Sequence, residues 1–196
     1  MYTKYKTKGI IIGGSNIGES SRSYNIFTRD FGLVRVRAQG IRKFDSKLKY
    51  HLQNLFLTDL HIVKGKSGWR VTEAYKADSF PQLFSDSKTK LQSSTRILLF
   101  LKRMLPEEEG NTPLFDIITE GFSFMESPSV SEDKVSDLET LIVLRVLREL
   151  GYIKNDKRFE TLLIGNNYTD ELLDSTKSMK SIIVEEINQS IQASEL

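Results

Sequence analysis

Residues 33–50 read LVRVRAQGIRKFDSKLKY, and they begin with apolar and basic side chains in alternation. Successive side chains of a β-strand point to opposite faces, so this order predicts a strand with one buried and one exposed face. The inward residues are then Val34, Val36 and Ala38, and the outward residues are Arg35, Arg37 and Gln39. The whole segment holds six Lys or Arg and one acidic residue, although the formal net charge of the chain is only +2. The strand and the loop after it therefore concentrate positive charge.

Charge is divided unevenly along the 196 residues of the chain. Residues 1–76 contain 15 Lys and Arg against 5 Asp and Glu, a net charge of +10. Residues 77–196 contain 13 against 21, a net charge of −8. Such opposition predicts two domains with different partners. A basic domain of this size is typical of proteins that bind a polyanion.

The first 76 residues have the pattern of a small β-domain. Short apolar or alternating segments, separated by turns, predict strands at 7–12, 23–28, 33–39, 52–64 and 69–75. Gly32 lies at the hairpin turn before the third strand, and Gly65-Lys66-Ser67-Gly68 forms the tight turn before the fifth. Five strands within about 70 residues are typical of a small closed barrel such as the OB-fold.

From Phe80-Pro81 onward, apolar residues recur at helical spacing. This spacing predicts helices at 86–105, from Thr112-Pro113, from about Ser131-Glu132 to Leu150, and at about 169–193. Gly151 has the position of the left-handed residue that often follows a helix end. The expected fold class is therefore α+β, with an all-β N-terminal OB-fold barrel followed by an all-α C-terminal helical domain. The expected domains are residues 1–78, which bind nucleic acid, and residues 79–196.

The predicted nucleic-acid interface lies on the basic strand and the loop after it. Six phosphate contacts to a single strand give a log–log salt slope of about −4, at roughly −0.7 per phosphate. The expected contacts are Arg35, Arg37, Arg42, Lys43, Lys47 and Lys49, with Arg29 and Lys66 as additional candidates. Bases stack on exposed aromatic rings, for which the candidates are Phe44, Tyr50 and Trp69. The alternatives are that the cations form a solvated surface and that each ring serves packing.

Other kinds of site have little support in the sequence. Gly13 to Ser20 has the spacing of a phosphate-binding loop, but Glu19 occupies the position of the required Lys. The glycines there are better explained by a bend or bulge of the barrel. His51 and His61 lack metal-binding spacing, and the chain has no Cys, which excludes disulfides and Cys-based metal sites. No nucleophile–base pair stands out, so we expect no enzyme, no metal and no cofactor.

No apolar run reaches the ~18 residues of a membrane span. The residues therefore predict a cytoplasmic protein. We further expect it to be associated with the nucleoid when it is bound to DNA and to be a monomer on its own.

Several cations interrupt the apolar pattern of the helical half. Arg96, Lys102, Arg103, Arg145 and Arg148 either line the solvent face of their helices or form the basic rim of an apolar groove. A groove of that kind fits an acidic peptide tail, for which Arg96, Lys102 and Arg103 are the candidate contacts. The residues alone favour the solvated face.

Short motifs occur in order along most of the chain. In the first half they are Gly18-Glu19-Ser20, Phe27-Thr28-Arg29, Gly32, Ala38-Gln39-Gly40-Ile41-Arg42-Lys43 and Ser46-Lys47-Leu48. Further on they are Gly65-Lys66 with Thr72-Glu73-Ala74, and RVLRELGY at residues 145–152. Together these motifs resemble those of the bacterial recombination mediator family RecO.

The resemblance implies an N-terminal OB-fold and a C-terminal helical domain. It implies binding to single- and double-stranded DNA and annealing of complementary strands. It implies partnership with RecR and with the acidic C-terminal tail of single-stranded DNA-binding protein (SSB), and help in loading the recombinase onto SSB-coated DNA.

The chain departs from the family pattern after the Leu-Gly-Tyr motif, where many relatives carry a four-cysteine zinc module. Here residues 153–164 contain no Cys. We therefore expect no zinc site, and we expect Phe159, Leu162, Leu163 and Ile164 to pack in its place.

A second class of function stays open at this point. An OB-fold adaptor binds RNA or an acidic protein tail and has no role in DNA annealing. Preference for RNA over DNA at matched salt favours the adaptor, as does binding that survives loss of the barrel cations.

Overall fold

The computed structural model describes residues 3–153 and 157–193. The strands are β1 Lys4–Ile17, β2 Ser21–Thr28, β3 Gly32–Ala38, β4 Phe56–Gly65 and β5 Gly68–Ser79. The helices are α1 Phe80–Leu83, α2 Lys88–Met104, α3 Thr112–Glu126, α4 Val135–Glu149, α5 Glu160–Leu163, α6 Asp170–Ser178 and α7 Lys180–Ala193. Short 3₁₀ turns span Lys47–Tyr50 and Lys157–Phe159. The outer ends of both predicted domains, and part of the segment 153–164, lie outside the described residues.

The strands close into a barrel in the order β1-β2-β3-β5-β4. β3 pairs in parallel with β5 through Val36–Trp69 and Arg37–Arg70, whereas the other neighbouring strands pair antiparallel. A five-stranded barrel with this order is the OB-fold. With helices following the barrel, the predicted α+β fold class is confirmed.

The barrel interior is filled by the inward residues of every strand. In β3, Val34, Val36 and Ala38 are fully buried while Arg35 and Arg37 are exposed, which confirms the predicted alternation. Further buried members of this core are Ile11, Tyr24, Ile26, Ile41, Leu52, Leu60, Ile62, Trp69 and Val71. The basic strand is therefore held by its apolar face, and its arginines stay in solvent.

Of the strand boundaries that differ from the sequence prediction, two have a clear local backbone reason. β1 continues past Ile12 to Ile17, because a bulge between Ile11 and Gly13 re-aims the strand without ending it. The bulge that the sequence predicted for these glycines is therefore present at Gly13. β4 begins at Phe56 rather than at residue 52, because Leu55 has a left-handed backbone (φ 64°) that a strand cannot accommodate.

The chain divides into two compact units. The first comprises Met1–Leu83 and Met104–Thr112, and the second Phe84–Arg103 and Pro113–Leu196. In the first unit, the segment after α2 lies along β3, where the backbone N–H of Glu108 donates to the Leu33 carbonyl at 2.9 Å. In the second unit, α4 packs against α5, α6 and α7.

The helix ends also differ from the predictions in two places. α4 begins at Val135 with Lys134 as its N-cap residue and no side-chain cap, so Ser131-Glu132 does not cap it. The predicted last helix is divided at Met179 into α6 and α7. The Ser175 and Thr176 hydroxyls donate to carbonyls four residues earlier in α6, and such back-bonding bends helices. Gly151 has φ 80°, as expected after a helix end.

The segment after Gly151 packs largely as predicted. Phe159, Leu162 and Leu163 are buried, so this Cys-free stretch does supply core residues. Ile164 is 68% exposed, and its expected packing role was therefore wrong. The chain turns outward there because α5 ends at Leu163, and Ile164 itself has an extended backbone.

Candidate nucleic-acid interface

Three arginines of neighbouring strands lie on the outer face of the barrel. Arg35 and Arg37 project from β3, and Arg70 on β5 is paired directly with Arg37. Residues paired across parallel strands point to the same side of the sheet, so Arg70 joins the same face. The Arg35 Nε donates to Ser23 Oγ on β2 at 3.1 Å, which orients the side chain along the barrel surface.

The turn between β4 and β5 extends this surface. Lys66 lies in the turn and borders a shallow depression of about 250 Å³ that Arg37, Gln39 and Arg70 also line. We call Arg35, Arg37, Lys66 and Arg70 the basic strand face. In OB-folds, the face of strands 2 and 3 and the loop between strands 4 and 5 hold oligonucleotides.

The loop after β3 builds a second basic surface. Arg42, Lys43 and Lys49 line a groove of about 950 Å³, which we call the loop groove. The Arg42 guanidinium donates to the Gly18 carbonyl at 3.2 Å and anchors the loop on the β1–β2 turn. The Lys49 Nζ donates to the Phe44 carbonyl at 2.8 Å and closes the loop on itself. The predicted contacts therefore divide between two surfaces.

The remaining predicted contacts lie outside both surfaces. Lys47 opens the 3₁₀ turn and is exposed, but it does not line the loop groove. Arg29 is exposed in the turn between β2 and β3.

The three aromatic candidates have different environments. Phe44 is 96% exposed and Tyr50 is 62% exposed. The Lys49 ammonium lies 5.3 Å from the ring centroid of Phe44 and 5.1 Å from that of Tyr50. Trp69 is only 6% exposed and packs in the barrel core against Tyr5 and Phe31, with ring centroids 5.7 and 5.0 Å away. The structure therefore excludes Trp69 as a stacking platform, because its ring faces are already covered.

The lysines of β1 show a contrasting arrangement. Lys4 forms an ion pair of 2.7 Å with Glu73, whose other oxygen lies 2.6 Å from His61 Nδ1. Hydrogen bonds from Lys4 and His61 lower the pKa of the Glu73 carboxyl. Lys8 is paired across strands with Asp59. A carboxylate thus neutralises Lys4, and another lies opposite Lys8 in the strand register.

The basic strand face lacks this compensation. Among the residues that the structure describes, no carboxylate pairs with Arg35, Arg37, Lys66 or Arg70. The strand face and the loop groove therefore carry positive charge that no ion pair of the described residues neutralises.

The candidate tail contacts lie on α2. Arg96 forms a two-pronged ion pair with Glu139, with nitrogen–oxygen distances of 2.7 and 2.5 Å, and this pairing raises its pKa. Lys102 and Arg103 are exposed near the end of the helix, and Leu99 before them is 55% exposed.

Arg145 has neither of the environments expected for it, a solvent face or a groove rim. It is only 2% exposed, because α4 is enclosed by the later helices. Its Nε and Nη1 donate to the carbonyls of Leu162 and Asn167 at 2.8 and 2.9 Å. Arg145 therefore holds the chain between α5 and α6 in place. The other predicted arginine of α4, Arg148, is exposed as expected.

Residues 3–153 and 157–193 contain neither a metal-binding cluster nor a membrane-spanning helix. No three His, Asp or Glu side chains there are grouped to hold a metal ion. No helix in those ranges is both long and apolar enough to cross a membrane.

Sequence reasoning missed two cations of the interface. Arg70 lies between the inward residues Trp69 and Val71, so the alternation rule that found Arg35 also applies to it. Arg22 lines the loop groove, but only the folded loop reveals this, because the residues that face it lie 19 to 60 positions away along the chain.

The described residues form an OB-fold barrel with two basic surfaces and a helical unit, which places the chain among α+β proteins. Comparison with known proteins shows what the barrel half is similar to. A family model described as "Recombination protein O N terminal" matches residues 1–80. Residues 1–80 thus match the N-terminal domain of the RecO family, which confirms the resemblance that the sequence motifs predicted.

Individual relatives carry the same family name. The chain is 28% identical over 133 residues to the DNA repair protein RecO of Synechocystis sp., an alignment that covers 68% of this chain and 49% of that protein. It is 29% identical over 154 residues to the DNA repair protein RecO of Clostridium acetobutylicum, covering 77% of this chain and 60% of that protein. A third, from Nostoc sp., is 31% identical over 120 residues, or 61% of this chain and 40% of that protein. The chain thus spans about half the length of the curated relatives it matches.

Proposed function

We propose that this chain is a DNA-binding recombination mediator without enzymatic activity. It binds single- and double-stranded DNA, promotes annealing of complementary strands and helps to load the recombinase onto SSB-coated DNA. The OB-fold domain, residues 1–78, binds the DNA, and the helical domain, residues 79–196, binds protein partners. The name that the relatives carry, DNA repair protein RecO, supports the general role in repair.

The observation that carries the proposal is the uncompensated charge of the basic strand face. A row of cations without carboxylate partners attracts phosphate. A surface whose cations are already ion-paired gains little free energy from binding phosphate. Arg35, Arg37 and Arg70 are adjacent on two paired strands, and Lys66 continues the row into the next turn. Arg42, Lys43, Lys47 and Lys49 supply further contacts from the loop, and Arg29 adds one from the β2–β3 turn.

Annealing by such a surface needs no catalytic group. Two complementary strands repel each other through their phosphates, and a cationic surface that binds both reduces this repulsion. Base pairing then supplies the driving force. Phosphate contacts carry no sequence information, so the activity is expected to be independent of sequence.

The helical domain is the proposed site for the partners RecR and the acidic tail of SSB. On α2, Lys102 and Arg103 are exposed near the half-exposed Leu99, which offers charge and apolar surface to a tail that has both. Arg96 contributes less, because Glu139 already neutralises it. We further propose that the protein acts in the cytoplasm at the nucleoid and is a monomer on its own.

Fluorescence anisotropy of a labelled single-stranded oligomer tests the proposal, together with annealing of two labelled complementary strands by energy transfer. We expect Arg35→Glu/Arg37→Glu to weaken binding by at least 10-fold at about 0.1 M salt and to slow annealing in proportion. The matched control is Lys6→Glu/Lys8→Glu, which makes the same change in charge at the same spacing on exposed positions of β1. Equal losses in both variants would show that only net charge matters.

The second candidate function is the OB-fold adaptor for RNA or an acidic protein tail. The exposed aromatic side chains of the barrel loop favour it as much as they favour DNA, since stacking does not distinguish the two nucleic acids. Competition at matched salt separates the functions. Preference for RNA, or binding of an acidic peptide that survives Arg35→Glu/Arg37→Glu, contradicts the DNA mediator.

A further inference from the structure

We propose that the loop groove is a subsite for an unstacked nucleotide, through which the barrel prefers single-stranded to double-stranded DNA. The inference rests on the proposed DNA binding and adds a specific ligand for one cavity. The groove measures about 950 Å³ and is bordered by the start of β2, the loop after β3 and the end of β5. Small-ligand sites measure about 300–1,000 Å³, so the groove has room for a nucleotide.

The charge of the groove matches a phosphate. Its cations are Arg22, Arg42, Lys43 and Lys49, and none of the residues that line it is acidic. In the part of the chain that the structure describes, Lys43 has no carboxylate partner, and Arg42 uses its guanidinium only to hold a backbone carbonyl. An anion that enters the groove therefore meets positive charge that the protein has not neutralised.

Arg22 gives the groove a fixed donor. One terminal nitrogen of its guanidinium donates to the Gly14 carbonyl at 3.1 Å, and the group lies 5.2 Å from the ring centroid of Tyr24. Its Nε is buried and has no hydrogen-bond partner among the described residues. A phosphate bound in the groove is expected to meet the rest of this charged guanidinium, and hydrogen bonds between charged partners are the stronger kind.

The remaining lining suits a base rather than a second phosphate. Phe44 has almost its whole ring in solvent, and base stacking on an exposed ring is a common mode of single-strand binding. The amides of Gln53, Asn54 and Gln82 line the same groove. Amides both donate and accept, so they fit the polar edges of any base. In a duplex these edges and the base faces are occupied, which excludes a duplex from this subsite.

Affinity for three labelled probes tests the inference: a single-stranded oligomer, the same oligomer with abasic sites at its centre, and a hairpin duplex. We expect Phe44→Ala to weaken binding of the intact single strand by ~5- to 30-fold, the lower part of the range for one stacked base. The abasic oligomer keeps every phosphate, so its affinity is expected to change by less than about 2-fold, as is that of the duplex. Since Phe44 is exposed, its removal is not expected to disturb the fold.

Two further variants sharpen the test. Tyr50→Ala removes the other exposed ring beside Lys49, but Tyr50 does not line the groove, so its loss is expected to be smaller. Arg22→Gln removes one phosphate contact and is expected to make the single-strand salt slope shallower by about 0.7. The inference would be overturned if Phe44→Ala weakened binding of all three probes equally or of none. It would also be overturned if Phe44→Ala weakened binding of an acidic peptide instead of the intact single strand. If the wild-type protein bound no probe in a salt-dependent way, the proposed function itself would fail.

Discussion

Replacing Arg145 with Met tests how the helical unit is held together. The side chain is 2% exposed, and its two hydrogen bonds reach the carbonyls of Leu162 and Asn167. Its guanidinium also lies 4.4 Å from the ring centroid of Tyr168, whose hydroxyl donates to the Ile117 carbonyl at 3.1 Å. Burial raises the pKa of this tyrosine to about 12, so the ring stays neutral beside the arginine.

Two opposing effects set the size of the change. Methionine preserves most of the side-chain volume, but it leaves two buried carbonyls without a donor, at about 1–3 kcal/mol each. It also removes a cation–π contact worth about 1–2 kcal/mol. Two other changes favour the variant. Methionine removes a buried charge, and it removes the Nη2 donor, which has no partner within the described residues. We expect the losses to dominate and the free energy of unfolding to fall by about 2–4 kcal/mol.

Urea unfolding followed by two probes measures this change. Circular dichroism at 222 nm reports mainly the helices, and Trp69, the only tryptophan, reports the barrel core. We expect the transition midpoint to fall more by circular dichroism than by fluorescence. Arg148→Met is the matched control, because Arg148 is exposed on the same helix and its loss is expected to cost less than about 0.5 kcal/mol.

Arg145→Lys distinguishes the hydrogen bonds from the charge. Lysine keeps the charge but cannot present the planar fork that reaches both carbonyls, so we expect it to destabilise about as much as methionine. If Arg145→Met proved as stable as the wild-type protein, the guanidinium would not hold this segment, and the reasoning would be refuted.

Two neighbouring glycines and one carboxylate give further tests. Gly14→Ala places a Cβ 2.3 Å from a carbonyl oxygen of β2, so we expect it to lower the free energy of unfolding by about 1–3 kcal/mol. Gly13→Ala places its Cβ where nothing lies within 4 Å, so we expect a nearly unchanged free energy of unfolding in the same urea assay. Because Lys4 and His61 lower the folded-state pKa of Glu73, its contribution to stability is present above the unfolded pKa near 4.5 and is lost as pH falls towards the folded value. NMR titration is expected to show the pKa of Glu73 rising in Lys4→Met, and an unchanged pKa would contradict the pairing.

Most of the barrel could be predicted from the sequence because its strands are half-buried. The alternation of Val34, Arg35, Val36 and Arg37 fixes both the strand and the direction of each side chain. The predicted strand boundaries were wrong where a single backbone angle or a bulge sets the end of the strand, as at the left-handed Leu55. Periodicity carries no information about these.

The interface was only partly predictable for a related reason. Strand cations follow from the local pattern, but the loop groove forms from residues that are distant in the sequence, such as Arg22 and Gln82. Burial was the other source of error. Arg145 was expected near solvent, and Trp69 was left open between a stacking platform and a packing role. Their packed neighbours, two carbonyls for Arg145 and two aromatic rings for Trp69, show that both are core residues. A side chain that joins apolar and polar parts gives no sign in the sequence of which part is buried.

The salt dependence of single-strand affinity is the decisive measurement for the proposed DNA-binding surface, made on the wild-type protein and on Arg35→Gln/Arg37→Gln. We predict a wild-type log–log slope of about −4 and a slope shallower by about 1.4 in the variant, at 0.7 for each lost phosphate contact. At 0.1 M salt this corresponds to a loss of affinity of about 25-fold. Lys6→Gln/Lys8→Gln, with the same loss of charge, is expected to keep the wild-type slope. A flat wild-type slope, or equal changes in both variants, would show that phosphate does not lie along the basic strand face.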